Sequence, residues 1–406
     1  MRFECNRTDF LDALVNCSRA AAQKSALAVI EGILMRATSD GLHICCYNLD
    51  MGIAKNIPAH IQRTGSAVMP MRLIEMIRRL PGERVIIDCN EKLVVHIESD
   101  RTEFDIIAMP ADDFPELPIV ESEFSVRIQE NQLRSIISQT SHALYNKPDK
   151  PIYTGALFEV EEGSLKVTTL DGCRVAIRNE TVTGMGSSKF IVPGKSLVDV
   201  SRLLSDVSET AEINVGKHNI VFYINGYSVV SRLLTGKFTD CSMLFNISGC
   251  STVRVKTGDV LAAVERMALV TSESYKSPVR CTFSENTIQF SCETPVGRAD
   301  SVIPCTSDCA GMTMGINNRF MVDAFKAVDT DEIRIMIVDR MRPMIILPPE
   351  GDHYKFLIMP LNLNDSVPEP PADKQRAPRE IVEAENTSGE GNYEEEADFG
   401  DDRYDD

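Results

Sequence analysis

The chain has 406 residues, room for roughly two to four domains, and 43% of them are apolar, so each domain can bury a core. The net charge of −18 argues against simple electrostatic capture of nucleic acid. It is uneven, because residues 364–406 carry fifteen acids against Lys374, Arg376, Arg379 and Arg403, a net of −11 that leaves −7 on residues 1–363. No apolar run is long enough to span a membrane, and Met1-Arg2-Phe3-Glu4-Cys5 lacks the basic-then-apolar pattern of a secretory signal, so a cytoplasmic protein is expected.

The first unit, residues 1–120, opens with a strand over Arg2–Cys5. Thr8-Asp9 reads as the N-cap of a helix running to about Ala20. Strands are expected around Gly32–Ala37, Leu42–Tyr47 and Gly52–Ile57. Pro70 opens a second helix and Pro81-Gly82 closes it, before strands at Arg84–Cys89, Lys92–Ile97 and Glu103–Met109. The second unit, 121–248, repeats the order: a strand at Phe124–Ile128, a helix from Asn131 to about Leu144, and strands at Gly155–Val160, Ser164–Leu170 and Cys173–Glu180. A helix over Lys195–Leu204 and three strands between Ala211 and Leu234 complete it. In the third unit, 249–363, Thr252–Lys256 is a strand, Thr257 caps a helix over Asp259–Val270, and strands run through Val302. Asn318–Val328 is the matching helix, with strands at Glu332–Val338, Met344–Leu347 and Tyr354–Met359. The class is α+β, in the order βαβββ and then αβββ. Residues 364–406 are rich in Pro, Glu, Asp and Gly and read as a disordered acidic tail.

One beat ties the units together. Glu75, Asp199 and Asp323 recur about 124 residues apart, each followed three residues later by Arg78, Arg202 or Lys326. Leu73-Ile74, Leu197-Val198 and Met321-Val322 precede the acids and, with Ile77, Leu204 and Phe325, form an apolar stripe. Acid and base are expected on the opposite, solvated side. Three copies of one module suggest a scaffold rather than one asymmetric catalytic site. No phosphate loop, Gly-x-Gly-x-x-Gly, Gly-x-Ser-x-Gly or His-Glu-x-x-His occurs, and the six histidines are scattered. The twelve cysteines show no Cys-x-x-Cys pair and no zinc spacing, and read as reduced, buried small hydrophobes. No cofactor or metal is expected.

Cations sit away from the stripes: Arg78, Arg79, Lys195, Arg202, Arg319 and Lys326, with Arg134 and Arg266 on the other helices and Lys24, Lys147 and Lys150 in loops. For any one of them a solvated face is the safer reading. Their recurrence suits phosphate contact without base readout, and no aromatics are interleaved for single-strand stacking. At the end of the third unit Phe356–Leu363 stays apolar past Pro360, either a frayed core strand or the lip of a groove for a partner peptide.

Leu170-Asp171-Gly172-Cys173-Arg174-Val175, Ala108-Met109-Pro110-Ala111-Asp112-Asp113-Phe114-Pro115 and Met359-Pro360-Leu361-Asn362-Leu363 together resemble motifs of the bacterial DNA polymerase sliding clamps, the beta subunits of the replicative polymerase holoenzyme. The resemblance covers residues 1–363. It implies three clamp-type domains per subunit, each with two helices plus antiparallel sheets, and a head-to-tail homodimer closed into a ring. Twelve helices would line the hole and turn the basic positions toward duplex DNA. It implies a dimer seam at Phe104, Leu269 and Val270. It also implies a peptide groove of Tyr153, Leu170, Gly172, Arg174, Val175, Leu244, Phe320, Leu357, Met359, Pro360, Leu361 and Leu363, shared by the polymerase catalytic subunit, the clamp loader and repair polymerases. Catalysis is not implied.

The chain departs from the family pattern where Cys173 replaces a common His, Thr239 a frequent Pro, Met243 a frequent Arg and Asn362 the usual Arg, which shifts the groove toward more apolar contacts. The tail leaves beside the groove. A solubilising role is the plain expectation, and competition for the groove by Tyr393 or Ala397-Asp398-Phe399 the sharper one. Two other classes stand beside the clamp: a peptide scaffold that does not hold DNA, and, last, a cysteine- or metal-dependent enzyme.

Overall fold

The computed structural model describes residues 1–184, 186–205, 209–271, 278–309 and 311–363; the expectations for the acidic tail lie outside them. Six α-helices are present among these residues: α1 (Arg7–Cys17), α2 (Leu73–Arg79), α3 (Glu130–Ser141), α4 (Gly194–Ser201), α5 (Thr257–Ala268) and α6 (Asn318–Lys326). They pack in pairs, α1 on α2, α3 on α4 and α5 on α6. Each longer helix buries one apolar face: Phe10, Ala13, Leu14 and Cys17 in α1, and Val260, Ala263, Val264 and Met267 in α5. Each fully buried Leu, Val or Met of this kind contributes about 1.5–3 kcal/mol.

The helix ends differ from expectation. The cap of α1 is Asn6, whose side chain accepts the N–H groups of Thr8 at 2.8 Å and Asp9 at 3.2 Å. Its last turn, Ser18–Ala20, tightens to a 3-10 helix. In α5, Thr257 is the first helical residue, and its hydroxyl donates to the Thr330 carbonyl at 2.5 Å instead of capping. Leu204 falls beyond the end of α4, whose stripe is completed by Val200.

Among the described residues all strand pairs are antiparallel, and each unit holds more strands than the sequence suggested. A further strand precedes each second helix: Gly65–Met69, Ser187–Pro193 and Met312–Ile316. Glycine, serine and a terminal proline blunt the alternation there, so period alone passes them over. Cys173 lies in the turn before its strand, which begins at Arg174.

The sheets cross the unit boundaries. An eight-stranded sheet joins the first unit to the second where Met51–Ile57 pairs with Tyr227–Arg232. A nine-stranded sheet joins the second to the third where Arg174–Thr181 pairs with Tyr354–Ile358. Each junction uses the third strand after the unit's first helix and the last strand of the next unit. The corresponding strands left over are Gly297–Pro304, at one edge of a four-stranded sheet, and Thr102–Ile107, at one edge of a five-stranded sheet. Nine of the twelve cysteines are buried, which fits their reading as small hydrophobes, whereas Cys173 is exposed.

Candidate functional site

The paired helices carry the cations on exposed turns. Arg78, Arg79, Lys195, Arg202, Arg266, Arg319 and Lys326 are exposed, as are Lys24, Lys147 and Lys150 in loops. Arg134 is half-buried and donates to the Leu204 carbonyl, which tethers it to the chain after α4. The repeated acid–base beat takes three different forms. Arg78 pairs with Glu75, and Arg202 with Asp199 at 3.2 Å. Asp199 does not face solvent as expected; it is 5% exposed, and burial raises its carboxyl pKa against the opposing pull of Arg202. In the third copy the pair is broken: Lys326 turns to Glu265 at 2.9 Å, and Asp323 turns to Arg174 of the second unit at 2.7 Å.

That exchange organises the surface where the second and third units meet. Arg174 begins the strand that pairs across the boundary, in register with Ile358. Its guanidinium, only 10% exposed, donates to Asp171 at 2.8 Å as well as to Asp323. It also stacks 4.4 Å above the Phe320 ring. Asp171 folds the preceding turn by accepting the N–H groups of Cys173 and Arg174. Gly172 in that turn has φ +94, which favours glycine, and a Cβ there would meet nothing. Leu170, Val175 and Leu357 are buried in an apolar cluster against which Tyr153 packs. Tyr153 lies edge-on to Phe238 at 5.5 Å, and its hydroxyl shares a 2.6 Å hydrogen bond with Thr239.

The terminal segment borders the same surface. Met359 donates its N–H to the Cys173 carbonyl, and Leu361 to the Gly315 carbonyl, both at 2.8 Å. A Cβ on Gly315 would come within 2.8 Å of Leu363, so glycine is what lets this segment lie close. Pro360 and Leu363 are half-buried, while Met359, Leu361 and Leu244 present exposed apolar side chains. The twelve groove positions thus divide into a buried floor, a ring of half-buried residues and an exposed apolar rim. Sequence reasoning missed Phe238 and Gly315, and it read Asp323 as a solvated helix residue. Phe238 had a signal, since it stands one repeat after Phe114 in the motif ending the first unit.

The two unpaired edge strands are partly apolar. Ile107 is 70% exposed on one, and Val302 is 58% exposed on the other. Leu269, at the end of α5, is 82% exposed, and Val270 is half-buried against the third unit's core. Phe104 is half-buried and packs on the core of the first.

Among the described residues no group of three or more His, Cys, Asp or Glu could hold a metal, and no helix is long and apolar enough to cross a membrane. The buried thiols of Cys5 and Cys45 are pushed by burial to about 12, and that of Cys281 further still.

Three family models tile the chain: the N-terminal domain of the DNA polymerase III beta subunit at residues 1–118, the central domain at 127–240 and the C-terminal domain at 248–362. A beta sliding clamp of Staphylococcus epidermidis is 26% identical over 373 residues, covering 89% of this chain and 99% of that protein. The DNA polymerase sliding clamp of Bacillus subtilis superimposes with a TM-score of 0.86 at 26% identity, over 90% of this chain and 100% of that one. A putative DNA polymerase III beta subunit from Eubacterium rectale gives 0.85 at 26% identity, over 89% and 99%.

Proposed function

The chain belongs to the family of the bacterial DNA polymerase III beta subunit, the beta sliding clamps, and from that premise we propose that two copies close head to tail into a ring around duplex DNA. Its function is that of a non-catalytic processivity factor for a DNA polymerase. The observation that carries the ring is the sheet pairing. Two unit boundaries are sealed by the same strand pair, and the two strands that would seal a third boundary are left open. A second copy supplies each missing strand, which gives a closed ring with two identical head-to-tail seams and no free edges there. Exposed Ile107, Val302 and Leu269 support a seam there, with Phe104 and Val270 behind them.

In this ring Lys24, Arg78, Arg79, Arg134, Lys147, Lys150, Lys195, Arg202, Arg266, Arg319 and Lys326 face the DNA phosphates. Attraction stays weak because the acids of the same turns offset part of the charge, and the topological link does the holding. The surface around Arg174 receives the apolar end of a partner's short motif, and its occupants are the polymerase, the clamp loader and repair polymerases. Tethering then converts polymerase rebinding into an intramolecular event at high effective concentration. The domains fall at 1–120, 121–248 and 249–363, and the setting is the cytoplasm. Primer extension with polymerase, loader and ATP tests this: the protein lengthens products, and a Met359→Lys, Leu361→Lys variant that still dimerises does not. Equal product lengths with and without the protein would contradict the function.

A further inference from the structure

Two loops occupy equivalent places over the outer faces of the first and second domains. Residues 111–117 carry Phe114 and Glu116; about 124 residues later, 235–241 carry Phe238 and Asp240. Beneath them Leu34, Arg36, His43 and Cys45 correspond to Leu157, Glu159, Lys166 and Thr168, about 123 residues on. In the first domain Arg36 grips both carboxylate oxygens of Glu116, and the cavity left under the loop is about 270 Å³. In the second domain Arg36 is replaced by Glu159 and Glu116 by Asp240, so the latch position holds two like charges. Glu159 is bound instead by Lys189 at 2.7 Å and Lys166 at 3.1 Å, and the cavity is about 630 Å³. That is the size of a ligand-binding cleft.

The cavity's chemistry is that of an anion site with apolar walls. Leu157, Phe190 and Leu234 line it beside three lysines, against two carboxylates. Both carboxylates already have donors: Glu159 has its two lysines, and Asp240 accepts the Ser242 N–H at 2.9 Å. Lys217 is exposed at the rim and pairs with no carboxylate among the described residues. The cavity also adjoins the groove, because Phe238 and Thr239 line it and also touch Tyr153.

We propose that this cavity is an accessory subsite of the partner groove and takes a carboxylate side chain flanking the partner's linear motif. It rests on the groove reading above. The first domain, with its latch closed, offers no equivalent, so the site belongs to a domain that also borders the groove.

Fluorescence anisotropy with three labelled peptides tests it: a short motif peptide with a glutamine and a Leu-Phe end, and two extended forms carrying two glutamates appended at one end or at the other. On the full chain at low salt, one extended form binds roughly threefold to tenfold tighter than the short one, the size of one or two semi-exposed charge pairs. Lys217→Glu abolishes that gain, Lys217→Arg keeps it, and high salt shrinks it. Equal affinities for short and extended peptides, or a gain that survives Lys217→Glu, would overturn the subsite while leaving the groove standing. Binding of none of the three peptides would overturn the groove reading and this one with it.

Discussion

Replacing Arg174 with alanine separates the second domain from the third at one point. The guanidinium is 10% exposed and holds two carboxylates, at 2.8 and 2.7 Å, one from each domain. Removing one partner of a buried ion pair costs about 3–5 kcal/mol, because the group left behind is desolvated and unpaired. Here Asp171 keeps 14% of its side-chain surface and Asp323 keeps 32%, so Asp323 can rehydrate in part. The expected loss is therefore near the lower end, about 3 kcal/mol, including the stacking on Phe320. Asp323→Asn should cost less, about 1–2 kcal/mol, since an amide still accepts a hydrogen bond. The double variant should fall short of the sum of the singles by at least about 0.5 kcal/mol. Urea unfolding followed by circular dichroism reads all three, since the chain has no tryptophan. An Arg174→Ala protein within about 0.5 kcal/mol of the parent, with strictly additive double-variant behaviour, would refute the idea that this residue ties the domains.

His142 is half-buried against Phe356, with ring centroids 4.8 Å apart, and its desolvation, aided by the nearby Arg174 charge, lowers its pKa to about 4. A histidine kept neutral in the fold but free to protonate near 6.5 when unfolded contributes stability that is whole above pH 6.5 and lost as pH falls toward 4, about 3 kcal/mol in all. His142→Gln should flatten that part of the profile between pH 7.5 and 4.5; an unchanged slope would exclude it. Ile107→Asp with Leu269→Asp should shift the mass in sedimentation from twice 45.0 kDa to 45.0 kDa, whereas an undisturbed dimer would place the seam elsewhere. Charge reversal at Lys195 and Arg202 should weaken short-duplex binding and reduce its salt dependence by about two phosphate contacts, without altering peptide affinity.

Much of the architecture was legible because the repeat is written in both apolar spacing and charge. The six helices and most strands follow from periods of 3.6 and 2. The strand before each second helix was not legible, because Gly65, Gly315 and Pro193 interrupt the alternation that marks a strand. The caps were misplaced by two residues in α1, where Asn6 and not Thr8 caps, and by one in α5, where Lys256 and not Thr257 stands at the cap position; either side chain of Asn6-Arg7-Thr8 fits a cap on sequence alone. At the groove, family motifs pointed to Arg174 but not to its partner. Asp323 carries the same local pattern as Glu75, and only the approach of the second domain turns it away from Lys326. A local pattern cannot report a tertiary competition between two bases for one acid. The cavity behind Phe238 was invisible for a related reason. It arises from a sign change at one position, Glu159 in place of Arg36, facing an acid kept at Asp240 far away in sequence, and that opposition exists only after folding.

The account stands on encirclement, and retention on nicked circular DNA tests it most directly. The protein is loaded with clamp loader and ATP, passed over a sizing column, and the DNA is linearised and passed again. Retention on circles with loss from linear DNA is the predicted result. Equal retention on both forms would mean ordinary surface binding and would contradict the ring.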